Sequence, residues 1–228
     1  MTGVKESRGL VRRRKRIRFK LKGCMIKPYV VALEGPSGAG KTTLTGSLLQ
    51  AFEQDVVVVL PDYSKAAGGG DRLPRAPAES VEEELLALQF LLNLDKERWR
   101  RGTSVDQPPS LVIMDRSVHT LLAHRYAVSH MTGLKAFGVS CRSASEHREV
   151  VWPDLILYLD TPQSILTTRI TKPVPMAVQI FVDPRYNMFF REYFLPTLQY
   201  TETLVVVLDG SQSFSEILAT AVDHIRQV

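Results

Sequence analysis

Eight residues, Gly35-Pro36-Ser37-Gly38-Ala39-Gly40-Lys41-Thr42, constrain this chain more than any other stretch. They fill every fixed position of the pattern G-x-x-x-x-G-K-[ST], and Thr43 follows. The segment before them, Tyr29-Val30-Val31-Ala32-Leu33-Glu34, is apolar and β-branched, as a buried parallel strand is. After Lys41 the apolar positions Leu44, Leu48, Leu49 and Phe52 recur at helical spacing. Strand, glycine-rich turn and helix form the context in which this pattern binds phosphate. Glycines let the backbone curl until successive N–H groups converge on one oxygen cluster, and the helix N-terminus adds its partial positive charge. Lys41 then reaches the β- and γ-phosphates, while the Thr42 hydroxyl is offered to Mg2+. The expected nucleotide-binding set is Gly35, Pro36, Ser37, Gly38, Ala39, Gly40, Lys41, Thr42 and Thr43, holding a triphosphate tail with Mg2+.

A chain of 228 residues with 44% hydrophobic content buries one sizeable core. No apolar run approaches the roughly 20 residues of a membrane span, so no membrane partner is expected. The two cysteines, Cys24 and Cys141, lie far apart without metal-ligand spacing, which suits a reducing compartment and a cytoplasmic location. The net charge of +5 is unevenly spread. Residues 1–27 hold eleven of the 29 Lys and Arg residues and one of the 24 acids, so residues 28–228 are net −5. We therefore divide the chain into a basic leader, 1–27, expected to be disordered, and a P-loop domain, 28–228. Met25 stands just before the first strand, where translation could also begin. A nucleic-acid partner is expected only if the basic leader is genuine.

Further strands are predicted at Asp55–Leu60, at Ser110–Met114, within Val151–Asp160 and at Thr203–Leu208. Residues 64–79, with Gly68-Gly69-Gly70, read as a loop over the site, and 133–145 as a second loop. Ser80 and Glu83 have the spacing of a capping box for a helix in which Leu85, Leu88 and Leu92 share a face. Tyr186 to Tyr200 and Ser213 to Val228 read as helices. Alternating strands and helices imply an α/β, P-loop NTPase three-layer fold: a five-stranded parallel sheet with helices on both faces and a short lid. The site then falls at the carboxyl edge of the strands, with Asp62, Asp115 and Asp160. Asp115 ends the third strand and is the expected second metal-associated group beside Thr42. Arg116 next to it matches phosphate geometry. His119, His124 and His130 lack partners at metal-ligand spacing and are assigned no metal.

The ordered set Leu33-Glu34-Gly35…Gly38-Ala39-Gly40-Lys41-Thr42-Thr43, Leu60-Pro61-Asp62, Asp115-Arg116-Ser117, Pro153-Asp154-Leu155…Tyr158-Leu159-Asp160, Arg169-Ile170 and Tyr186…Phe189-Phe190-Arg191-Glu192-Tyr193-Phe194 resembles the thymidylate kinase-like group of nucleotide kinases. The deoxynucleoside kinases are a close second. The resemblance runs from about Tyr29 to the C-terminus. It implies ATP-dependent phosphoryl transfer to a nucleoside monophosphate. The alternatives are a nucleoside, deoxynucleoside or other small-metabolite kinase with Asp62 as base, and a non-catalytic ATP-binding protein. On this likeness the catalytic residues are Lys41, Arg116, Asp115, Arg169 and Asp62, the metal residues Thr42 and Asp115, and the lid cation Lys172 or Arg185. Tyr63 and Phe90 are expected to stack on the nucleotide or nucleoside acceptor, with Lys96 and Arg125 contacting it. A homodimer is also implied. The chain departs from the thymidylate pattern at Ser37, Tyr63, Ser117 and the pair His124-Arg125, leaving base preference open. Arginines around the reactive oxygen would mark a phosphate acceptor, and a single carboxylate a hydroxyl acceptor.

Overall fold

The computed structural model describes residues 27–104, 106–169, 176–197 and 203–227. The basic leader and Lys172 therefore lie outside the described residues, apart from Lys27. Five strands, β1 (Tyr29–Glu34), β2 (Val57–Leu60), β3 (Leu111–Asp115), β4 (Leu155–Asp160) and β5 (Leu204–Asp209), form one parallel sheet in the order β2-β3-β1-β4-β5. Side chains alternate between the two faces of a strand, and the sheet is covered on both. Val30, Ala32, Val112, Met114, Ile156 and Tyr158 face one core, which α3 (Val81–Thr103), α4 (Val118–Thr132) and α7 (Pro184–Glu192) close. Val31, Leu33, Ile113, Leu155 and Leu157 face the other, under α1 (Lys41–Ala51) and α8 (Phe214–Arg226). Three layers result, as the alternation predicts. No described helix is long and apolar enough to cross a membrane.

Period two also decides which way the polar strand ends point. Asp115 shares its face with Ile113 and so looks toward α1. Glu34 shares its face with Val30 and Ala32 and looks toward α4.

Several elements differ from the sequence reading. Residues 133–145 hold a helix, α5 (Ala136–Glu146), where a loop was expected. Its buried positions are Ala136, Ser140 and Ala144, small residues that let it approach α4 but give no hydrophobic stripe. The segment after β2 contains a short helix, α2 (Tyr63–Ala67), capped by Asp62, and a 3-10 turn at Gly70–Arg72. Strand β2 begins at Val57, two residues later than expected. The helix expected from Tyr186 to Tyr200 ends at Glu192 and widens into a π-type turn, Tyr193–Thr197, that contains Pro196. The capping box at Ser80 is half formed: Ser80 Oγ accepts from the Glu83 N–H, but the Glu83 carboxylate takes the Glu79 N–H instead. Helix α6 spans Gln163–Arg169, and the residues expected to form a lid directly after it, 170–175, lie outside the described residues.

Candidate active site

The loop between β1 and α1 carries three glycines with positive φ: Gly35 at 136°, Gly38 at 82° and Gly40 at 104°. A Cβ on Gly35 would stand 2.7 Å from the Leu159 carbonyl oxygen, so the turn both needs glycine's backbone freedom and has no room for a side chain. The Leu44 N–H donates to the Gly40 carbonyl, the first turn of α1. The amides just before it belong to the turn whose donors a helix cannot satisfy internally, which makes it an anion cradle. Lys41 Nζ donates to the carbonyls of Gly35 (2.9 Å) and Pro36 (2.8 Å), folded back along the loop. Burial, reinforced by the Arg116 charge, pushes its pKa down to about 7.

Thr42 Oγ1 donates to Asp115 Oδ2 at 3.0 Å, so β3 and α1 bring a hydroxyl and a carboxylate to one point. Two hard oxygen donors beside a phosphate cradle are what Mg2+ takes from protein when substrate oxygens and water supply the rest. The pair Thr42 and Asp115 thus fits that ion. Arg169, at the end of α6, donates to the Ala39 carbonyl at 3.1 Å and lies along the phosphate loop. Arg185, on α7, is exposed and bonded to Asp183.

Arg116 is the one non-glycine residue with positive φ, 71°, among the described residues. Its N–H reaches back to the Leu33 carbonyl, and its Nε donates to Asp62 Oδ2 at 3.0 Å. Asp62 Oδ1 accepts from the N–H and hydroxyl of Ser64. Burial pushes the Asp62 carboxyl up, but Arg116 and Ser64 outweigh it and hold the group below the usual range. A left-handed backbone at a bulky residue is strained, and such strain gathers at functional sites.

Beside this pair opens a cavity of about 650 Å3. Its near end carries Ser37, Asp62, Arg116 and Thr120, and its walls carry Leu73, Leu91, Phe181, Tyr186 and Phe190. The far end is polar. Glu84 meets Arg125 Nε at 3.5 Å and lies 3.8 Å from His124, whose Nδ1 bonds the Tyr186 hydroxyl.

Not every expected acceptor residue reaches the cavity. Phe90 is 45% exposed, because the buried face of α3 runs through Glu84, Ala87, Leu88, Leu92, Asp95 and Arg98 and leaves Phe90 on its outer side. Lys96 is on the surface in an ion pair with Glu149. Polar residues on the buried face hid its true orientation from the leucine pattern. Tyr63 lines the cavity, yet its ring packs on the Arg98 guanidinium and its hydroxyl bonds Asp95. Arg125 lines it too, engaged with Glu84 and the Leu121 carbonyl. Asp160 forms a two-pronged pair with Arg191. Phe90→Ala and Lys96→Ala are therefore expected to leave the acceptor KM within about twofold, as surface changes do; steady-state kinetics of both variants checks this.

Glu34 had no assigned role from sequence. It is fully buried and accepts from the Ser117 N–H, the Ser117 hydroxyl and the Thr120 hydroxyl, tying β1 to the start of α4. Its signal was present as an acid on the inward parity of β1. His119 bonds the Tyr193 hydroxyl, His130 stacks on Phe189, and no three His, Cys, Asp or Glu side chains among the described residues converge on a metal position.

No family model matches the chain. Its sequence is similar to the thymidylate kinase of Bacillus cereus strain B4264, 25% identical over 210 residues, covering 88% of this chain and 98% of that protein. The thymidylate kinase of Bacillus mycoides strain KBAB4 matches with the same identity and coverage. Among solved structures, deoxyadenosine kinase from M. mycoides with the products dCMP and dCDP aligns at a TM-score of 0.62 and 11% identity, over 87% of this chain and 100% of that one. The same enzyme with bound dCTP aligns at a TM-score of 0.60 and 10% identity, over 87% of this chain and 100% of that one. At these identities the structures speak for the fold, a P-loop NTPase sheet.

Proposed function

We infer that this chain, similar in sequence to thymidylate kinases and in fold to a deoxyadenosine kinase, transfers the γ-phosphoryl of ATP to a hydroxyl of a nucleoside-like acceptor, with Asp62 as the base. One observation carries the choice of acceptor. Three arginines line the cavity among the described residues, and each faces a carboxylate: Arg75 faces Glu79, Arg116 faces Asp62, and Arg125 faces Glu84. A phosphate dianion entering there would meet balanced pairs and no spare cation, whereas a neutral hydroxyl needs a single carboxylate at the reactive end.

The chain's own residues then divide the work. The turn amides and Lys41 hold the triphosphate, with Arg169 beside the loop to cover the transferring group. Thr42 and Asp115 would hold Mg2+, which when bound neutralises phosphate charge. Asp62 accepts the hydroxyl proton as the acceptor oxygen bonds to the γ-phosphorus and the bond to the β-phosphate oxygen breaks; ADP leaves, and the proton passes to solvent. Arg116 fixes the carboxylate in place.

A second reading is a nucleoside monophosphate acceptor. The sequence likeness to thymidylate kinases over 98% of their length favours it. In that case Arg116 orients the acceptor phosphate, and no base is required. ATP with Mg2+ is to be assayed against nucleosides, nucleoside monophosphates and other small alcohols, scored by ADP release. Turnover confined to monophosphates would replace the first reading with the second, and no turnover with any of them would remove both.

A further inference from the structure

Arg98, on α3, lies outside the cavity but bonds the Arg116 carbonyl and packs on Tyr63, the neighbour of Asp62. Its side chain is 1% exposed. One guanidinium nitrogen donates to Asp95 Oδ1 at 3.0 Å; the other donates to the Arg116 carbonyl at 3.0 Å and the Asp115 carbonyl at 3.4 Å. The guanidinium lies 4.2 Å from the centre of the Tyr63 ring, and the Tyr63 hydroxyl returns to the same Asp95 oxygen. Tyr63 directly follows Asp62 and is the first residue of the helix that Asp62 caps.

We propose that Arg98 is a positioning residue: it clamps the carbonyls on either side of the left-handed Arg116 backbone and, through Tyr63, anchors the segment that carries Asp62. Stability alone does not explain a buried Arg–Asp pair, because a well-packed apolar pair of the same volume commonly stabilises a core as well or better. The pair instead supplies directed hydrogen bonds to two carbonyls at the strained turn. A left-handed conformation at arginine persists only where its surroundings over-determine it. Here the Leu33 carbonyl holds the Arg116 N–H, and Arg98 holds its carbonyl. Freed from Arg98, the turn relaxes, the Arg116 guanidinium loses its aim at Asp62, and the acceptor oxygen loses its partner. The proposal rests on Arg116 and Asp62 being the working pair.

Arg98→Met alone leaves Asp95 buried without its cation and risks unfolding, so the test uses Arg98→Met with Asp95→Asn, which removes both charges and keeps the volume. Three quantities are measured: kcat and KM for ATP and for the acceptor found in the screen; amide hydrogen exchange at Arg116 and Ser117; and kcat of the same double variant in an Asp62→Asn background. The expected result is kcat lower by roughly 10–100-fold, from lost alignment, with the ATP KM within about twofold. Exchange at Arg116 accelerates, and little further loss appears once Asp62 is Asn, because coupled residues are not additive. Unchanged exchange at Arg116, unchanged kcat, or a full extra loss on top of Asp62→Asn overturns the proposal. Should Asp62→Asn by itself leave kcat at the wild-type value, the base reading fails separately. The same double variant is then judged by exchange and by kcat against Arg116→Lys.

Discussion

Lys41→Ala is expected to abolish phosphoryl transfer, with kcat reduced by at least about 10³-fold while thermal unfolding still shows a cooperative fold. The amine sits at the mouth of the phosphate loop, donating to two carbonyls that a γ-phosphate can replace as acceptors. Without it the charge gathering on the transferring group loses its nearest cation in a poorly solvated site. Single-turnover assays with saturating ATP check the result, and near-normal turnover would remove the site altogether. The same lysine gives a pH signature. Burial and the Arg116 charge lower its pKa to about 7, from an ordinary value near 10.5. Between those values the unfolded chain binds the proton that the folded chain has released, so stability rises with pH across the window. Below about pH 7 the lysine is charged in both states, and the cost of burying that charge is fully present. Lys41→Met, which keeps the stem, should therefore melt a few degrees above the wild type at pH 6. The gap should narrow as pH climbs toward 10.

Asp62→Asn separates the two acceptors most sharply. If Asp62 takes the proton from a hydroxyl, kcat falls roughly 10²–10⁴-fold while ATP affinity is kept. If the acceptor is a monophosphate, already ionised, the loss is small. Asparagine is isosteric and its Oδ1 still accepts from Ser64, so the cap of α2 survives, while the ion pair with Arg116 is lost in the same change. Burial acting alone would push this carboxyl up, but Arg116 and Ser64 prevail, and the group is ionised throughout the neutral range. The acidic limb of kcat/KM belonging to Asp62 therefore lies below the ordinary carboxylate region. A limb near neutrality that disappears in Asp62→Asn would contradict that assignment.

The phosphate loop, the parallel sheet and the meeting of Thr42 with Asp115 were all legible in residue order. A glycine-rich turn is a local device whose chemistry travels with its residues. Strand parity carries across the sheet, so Asp115, two residues after Ile113, had to face α1. Helix α5 escaped because close packing through Ala136, Ser140 and Ala144 leaves no apolar period to read. Phe90 and Lys96 stand away from the cavity for a different reason. A leucine stripe shows that α3 has a buried face but not its rotation, and Glu84, Asp95 and Arg98 turn that face away from Phe90 and Lys96. Whether Arg125 and Arg116 were spare cations or already matched depended on the carboxylates of Glu84 and Asp62, far off in the chain. Composition and spacing determined which chemistry this chain carries. Only the packing of α3 and α4 against the sheet decided which charges are spent on each other, because charge pairing over such separations is settled by three-dimensional neighbours.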